Sequence, residues 1–438
     1  MERRFAIRKR QLIDDARIRP EVYQGLLERL PGFLEPFAQG LVRSEQRGHL
    51  RTYLQGLMSD LERKNVEAIA YLHDQDRREL QHFVGESNWA FEPMLAELTR
   101  EVGVELEESD GVIVLDPSGF EKDGRDSVGV ERQWLGRFGK VDNGQVGVYL
   151  GYASRKGHAL CDVRLYLPKA WARDRVRRRK CGVPREVRFC TRHELAQAML
   201  MERGSALPHG WVAGDDEMGR SSGFRAWSRG RGERYLLAVP SNTRVRDLEA
   251  AAPEWGGHGA KPKSPWTSVS KWSEARRPSD WVRIDVRDGE KGPLVVEAVK
   301  CRVQAHEEKR HIGPEELLLV TRVRESKGWK LDFYLSNAPA ETEMEELVRV
   351  AKAEHRIEDA LKRAKSESGM ADYEVRTWIG WHHHQALSLI ATWFLTREAR
   401  RGEKMDASDH RAADSFADGH AVASGAGPSA PRLGASCH

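Results

Sequence analysis

Apolar residues recur at helical spacing through the first hundred positions. Leu27, Leu30, Phe33 and Phe37 form one stripe, and Leu50, Leu54 and Leu57 form another. Pro20 and Pro31 punctuate this region, glycine is sparse, and no long alternating run interrupts it. The pattern predicts an all-helical N-terminal domain over 1–105. It changes near Gly111, where Val112, Ile113, Val114 and Leu115 form the short continuous apolar run of a buried central strand. Gln145 to Tyr152 alternates like a strand, and so does Ala159 to Leu167. Thr191 to Arg203 follows as an amphipathic helix, then Gly210 to Gly214 as a short strand. A helix from Gly223 and a strand over Arg234 to Val239 complete an α/β pattern of mixed-sheet type over 106–242.

From 243 to 330 the pattern shifts again. Pro253, Gly256, Gly257, Gly259, Pro262 and Pro265 make a loop-rich stretch. Strand-like runs follow at Trp281 to Val286, Leu294 to Val303 and Leu317 to Val323. This block predicts a β-rich insertion. Lys330 to Leu335 then returns as a strand, and Leu347, Val350, Ile357, Leu361 and Ala364 open a helical second part of the core over 331–400. The residues from 401 to 438, rich in Ala, Ser, Gly, Asp and Pro, predict a disordered tail.

Composition narrows the class. The chain has 438 residues, enough for two or three domains. No stretch approaches the roughly 20 apolar residues that span a bilayer, and the basic start has no apolar segment behind it. These features predict a soluble, intracellular protein that is not associated with a membrane. Five scattered cysteines without a CxxC pair argue against a disulfide framework or a cysteine zinc site. Net charge is only +4, yet Arg173, Arg175, Arg177, Arg178, Arg179 and Lys180 form one dense run, either a solvated loop or a phosphate contact. Neither a P-loop nor a GxSxG elbow is present.

Three acidic residues stand out by position. Asp116 follows the apolar run Val112–Leu115, Asp215 follows Trp211–Gly214, and Glu358 lies on the helix after the β-rich block. Carboxylates at the ends of neighbouring buried strands are held rigidly and repel one another, which calls for divalent cations. Two hard cations would suit phosphoryl transfer. Turn chemistry alone accounts for many such aspartates, Asp116-Pro117-Ser118-Gly119 included.

The neighbouring residues carry more. Leu115 to Ser154 resembles the first catalytic block of bacterial insertion-sequence transposases of the DDE superfamily. It shows Ser118, Gly119 and Phe120, then Gly129, Val130, Gln133, Gly136, Gly139 to Val141, Asn143 and Gln145. Trp211 to Trp227 resembles the second block. There Gly214 and Gly219 select Asp215, with Asp216 as the competitor. His355 to Leu395 resembles the third, through Glu358, Lys365, Gly369, Tyr373, Val375, Arg376, Trp378, Gly380, Trp381 and His384. The family's Tyr and Arg before the glutamate are replaced by Ala351 and Glu354.

The resemblance implies an RNase H-like core and a DDE transposase that performs cut-and-paste DNA transposition. It implies Asp116, Asp215 and Glu358 as catalytic metal ligands for two Mg2+ ions, with Mn2+ as a substitute. Lys365, Arg356 and Lys140 are the expected DNA contacts; for Lys365 alone, a solvated helix lysine is the alternative. The expected partners are double-stranded DNA, as terminal inverted repeats and target, and a second copy of the chain in a synaptic homodimer. A DNA-binding regulator descended from a transposase and a metal-dependent nuclease without strand transfer are the rival readings. The triplet His382, His383 and His384 reads as packing or DNA-side hydrogen bonding rather than a zinc site, because adjacent residues diverge around a helix. Trp255, Trp266, Trp272 and Trp281 read as a small core in the insertion, with base stacking as the alternative.

Overall fold

The computed structural model describes residues 25–421, apart from 137–138, 256, 259–262, 290–291, 308–311 and 327. The first 24 residues of the expected helical region and the last 17 of the expected tail therefore lie outside the described residues. The chain divides into two compact units, one of 1–33 with 394–438 and one of 34–393.

Helices come first: α1 (Leu26–Leu34), α2 (Ser44–Leu57), α3 (Val66–Leu72), α4 (Arg77–Gly85) and α5 (Glu92–Glu105). Side chains start two of them. Asn65 accepts from the Ala68 amide and Asp76 from the Arg78 amide, satisfying donors the helix itself leaves open. Helices α2 to α5 belong to the same compact unit as the sheet.

The strands and later helices follow in order. They are β1 (Val112–Glu121), β2 (Glu131–Leu135), β3 (Lys140–Ser154), β4 (Gly157–Tyr166), α6 (Lys169–Arg173), α7 (Arg175–Lys180) and α8 (Arg192–Arg203). Next come β5 (Trp211–Gly214), α9 (Asp216–Arg220), α10 (Ser222–Gly230), β6 (Tyr235–Ala238), β7 (Arg244–Asp247), β8 (Trp266–Ser268) and α11 (Val269–Glu274). The chain continues through β9 (Val282–Gly289), β10 (Gly292–His306), β11 (Ile312–Glu325), β12 (Gly328–Ser336), α12 (Met344–Glu367) and α13 (Trp378–Ala421). Helix α13 thus runs past residue 401, where the composition predicts a tail.

Among the described residues, twelve strands form one mixed sheet in the order β2-β3-β1-β5-β6-β12-β11-β10-β7-β8, with β4 beside β3 and β9 beside β10. Strand β1 is antiparallel to β3 and parallel to β5, and β5 is parallel to β6. The buried run Val112–Leu115 therefore sits centrally, with neighbours on both edges, as its unbroken apolar character requires. On the far side, Val245, Val269, Trp272, Val303, Leu318 and Leu335 share a second core. Trp272 lies in that core and donates to Asp247, whereas Trp255 is 49% exposed. Trp281 packs against the same core, so two of the four insertion tryptophans share it. Trp266 lies under the Arg246 guanidinium, and Trp281 packs against Arg322.

Helix α12 crosses β1, β3, β4 and β5 with Leu347, Val350, Ile357, Leu361 and Ala364 buried. Gly151 on β3 permits the approach. A Cβ there would lie 2.6 Å from Ile357 Cδ1, closer than any real contact. In the smaller unit, Arg29 pairs with Glu398, and the Phe33 ring lies 4.8 Å from that of Phe394.

The histidine triplet is packing. His382, His383 and His384 are buried on α13, with rings against Phe91, Trp89 and Tyr53 respectively. His382 Nδ1 lies 2.9 Å from the Trp378 carbonyl, and His384 Nδ1 lies 2.8 Å from the Tyr53 hydroxyl. Burial pushes His382 and His384 down to about 3. The unfolded chain takes up these protons near pH 6.5 and the folded chain does not, so folding loses stability as pH falls below 6.5, until the buried rings protonate. Each ring contributes a slope of about 1.4 kcal/mol per pH unit in that window. Urea unfolding between pH 7 and pH 5 is expected to show a shallower acid dependence in His384→Gln than in the wild type. Identical slopes would contradict the assignment.

Candidate active site

The two aspartates come together through register. Leu115 on β1 pairs with Gly214 on the parallel strand β5, so Asp116, the next residue of β1, stands beside Asp215, which lies just past the end of β5. Strand β1 does not stop at Leu115: it runs on through Pro117, Ser118 and Gly119 to Glu121, paired with β3, where the sequence predicts a turn. In an open α/β sheet this carboxyl edge is where ligands gather. Neither side chain is fully enclosed. Burial first and the charge of Glu358 second push Asp116 up to about 7. Asp215 is raised well above the usual carboxylate range, first by burial and then by the charge of Asp116. The two therefore hold protons or cations more readily than lone carboxylates do.

Asp215 is also the N-cap of α9. Its Oδ1 accepts from the amides of Glu217 and Met218, each at 3.1 Å, which fixes the carboxylate. Gly219 holds this turn against the sheet, since a Cβ there would lie 1.8 Å from the Ala238 carbonyl oxygen. The competitor Asp216 points elsewhere. It is exposed and pairs with Arg220 at 2.5 Å.

Glu358 comes from α12, half exposed, with His355 Nδ1 at 3.6 Å and Lys362 Nζ at 3.2 Å. The bond from His355, then that from Lys362, lowers it to about 2. One turn earlier stands Glu354, which motif reading passed over because it occupies the place of the family's arginine. Burial, then the charges of Asp215 and Asp116, raise Glu354 well above the usual range. Its spacing of four from Glu358 was the signal: both face the same side of the helix.

The three expected DNA contacts are differently placed. Lys365 is buried and donates to Ser118 Oγ at 2.8 Å and the Gly119 carbonyl at 3.0 Å, tying α12 to the strand that carries Asp116. Its charge also opposes the rise at Asp116. Arg356 donates to the Ser154 carbonyl at 2.6 Å. It lines a cleft of about 1000 Å³ between α12 and the β9, β11 and β12 strands, together with Lys330, Asp332, Lys352 and His355. Lys140 is exposed at the start of β3 and pairs with Asp142.

The donor set fits a hard divalent cation in part. Asp116 and Asp215 are oxygen donors whose mutual repulsion a cation would relieve. Among the described residues, however, no group of three or more His, Cys, Asp and Glu stands ready to hold a metal ion. The carboxylates of α12 that approach the pair are Glu354 and Glu358, and Glu358 is engaged by His355 and Lys362. No helix among the described residues is long and apolar enough to cross a membrane.

A family model described as DDE superfamily endonuclease matches residues 36–293, and the chain belongs to that family. It is 33% identical over 94 residues to a probable transposase for insertion sequence element IS701 from Microchaete diplosiphon. That match takes in 21% of this chain and 25% of the relative, so it spans about a quarter of the relative's length. A cryo-EM structure of the piggyBac transposase synaptic complex with hairpin DNA aligns over 86% of this chain and 73% of that one, with a TM-score of 0.41 and 8% identity.

Proposed function

We propose that this chain is a cut-and-paste DNA transposase. The observation that carries the reading is the pair Asp116 and Asp215, set side by side where the parallel pairing of β1 and β5 ends. The strand order β4-β3-β1-β5-β6, antiparallel up to β1 and parallel beyond it, supports an RNase H-like core. In this reading Asp116, Asp215 and Glu358 would hold two Mg2+ ions. Bound cations would supply activation of the attacking oxygen and neutralise charge on the leaving one.

The chain's own residues position the substrate. The Asp215 cap keeps that carboxylate rigid, and Lys365 anchors the strand after Asp116. Water first attacks a phosphodiester at the element end and the 3′-oxygen leaves as a hydroxyl. That hydroxyl then attacks a target phosphodiester, whose own 3′-oxygen leaves. Lys140 and Arg356 contact the DNA backbone, and two copies pair the two ends.

Strand joining separates this reading from a plain nuclease. Supplied with a pre-cut repeat end, Mg2+ and a plasmid target, the protein is expected to yield joined products. Cutting of intact ends with no joining of pre-cut ends would sink the transposase reading.

A further inference from the structure

The charge of the chain is concentrated in one segment. Residues 169–192 hold ten Lys and Arg against two Asp and Glu, a net of +8, whereas the whole chain carries +4. The segment is not a solvated loop. Asp174 caps α7 by accepting from the Val176 and Arg177 amides. Arg178 donates to the carbonyls of Ala172, Pro184 and Val187, stapling the two halves of the segment together. Arg177 lies 3.9 Å from the Trp171 ring, and Trp171 donates to the Val130 carbonyl.

Two of the basic residues thus build a scaffold, and others are left pointing outward. Arg173, Arg175, Arg179, Arg185 and Arg188 are exposed, and their side chains make no hydrogen bond or ion pair with the described residues. Arg175 and Arg179 are four apart on one face of α7. The segment leads directly into α8, where Arg192 pairs with Glu217 at 2.7 Å and His193 meets the Glu217 carbonyl. Glu217 belongs to the turn that Asp215 caps. The arginine face therefore continues from the rim of the acidic site.

We infer that this arginine face, built on α6, α7 and the residues leading to α8, docks the phosphate backbone of duplex DNA beside the Asp116–Asp215 pair. The inference rests on the proposed function and adds where the substrate runs. Arginine forks match phosphate oxygens in pairs, and a pre-built scaffold leaves little to order on binding. Such contacts read no sequence; they fix position.

The test is the full chain with Arg173→Gln, Arg175→Gln and Arg179→Gln combined, titrated by fluorescence anisotropy against a random-sequence duplex and a repeat-bearing duplex over a salt series. The slope of log K against log salt is expected to shrink by about 2 to 3, near 0.9 per lost phosphate contact, with affinity lowered about tenfold or more on both duplexes. A thermal melt matching the wild type shows that the fold is kept. A wild-type slope in the variant, or loss on the repeat-bearing duplex only, overturns the docking face while leaving the transposase reading intact. A wild-type protein that binds neither duplex overturns both.

Discussion

Asp116→Asn and Asp215→Asn are each expected to lower Mg2+-dependent cleavage by about a thousandfold or more, while DNA binding stays within about threefold of the wild type. The register of β1 and β5 makes the two side chains one unit. Removing either breaks the same cation site, so the double variant should be no worse than the single ones. Additive losses would show two independent roles. Asn keeps the shape of Asp and, at position 215, the oxygen that caps α9. The loss therefore tracks charge rather than folding. Glu354→Gln beside Glu358→Gln tells which turn of α12 would supply the third carboxylate: Glu358 is held by His355 and Lys362, whereas Glu354 feels the charges of Asp215 and Asp116.

The raised Asp116 makes the metal-free protein less stable at high pH than at low pH. Asp116 is raised to about 7 in the folded chain, first by burial, and lies near 3.9 when unfolded. Between those values the folded state holds a proton that the unfolded state has lost. The associated stability is full below about pH 4 and is lost as pH rises through about 7. In EDTA at pH 8, Asp116→Asn should be more stable than the wild type by about 2 kcal/mol, a figure discounted for partial exposure, and the difference should shrink toward pH 5. Saturating Mg2+ should then stabilise the wild type by about 2.7 kcal/mol at a hundredfold excess over Kd, and the variant by much less. Urea titrations with and without Mg2+ read both effects. Equal gains in the two proteins would place the cation elsewhere.

What was legible in the sequence follows from how local each signal is. The run Val112–Leu115 and the Trp211–Gly214 strand are short and apolar, and their aspartates come with them; that β1 runs on to Glu121 was hidden by Pro117, Ser118 and Gly119, which read locally as a turn. The stripe Leu347 to Ala364 is likewise a local period, and it places Glu358 on a packed helix. Strands β2, β7 and β8 are three to five residues long and carry polar side chains, so no period announces them. Lys365 looks like any helix lysine until Ser118, 247 residues away, is brought against it. The arginine run reads as solvated because the carbonyls that Arg178 holds, and the tryptophan under Arg177, declare themselves only after folding. Glu354 was hidden by the motif itself, which expects a positive charge at that place.

The most direct measurement is cleavage of DNA carrying the inverted repeats that flank the gene, incubated with purified protein in Mg2+ or in EDTA, beside Asp116→Asn. Cutting at the repeat boundary in Mg2+ alone, absent in the variant, is the expected result. Cutting that persists in EDTA or in Asp116→Asn would contradict the account.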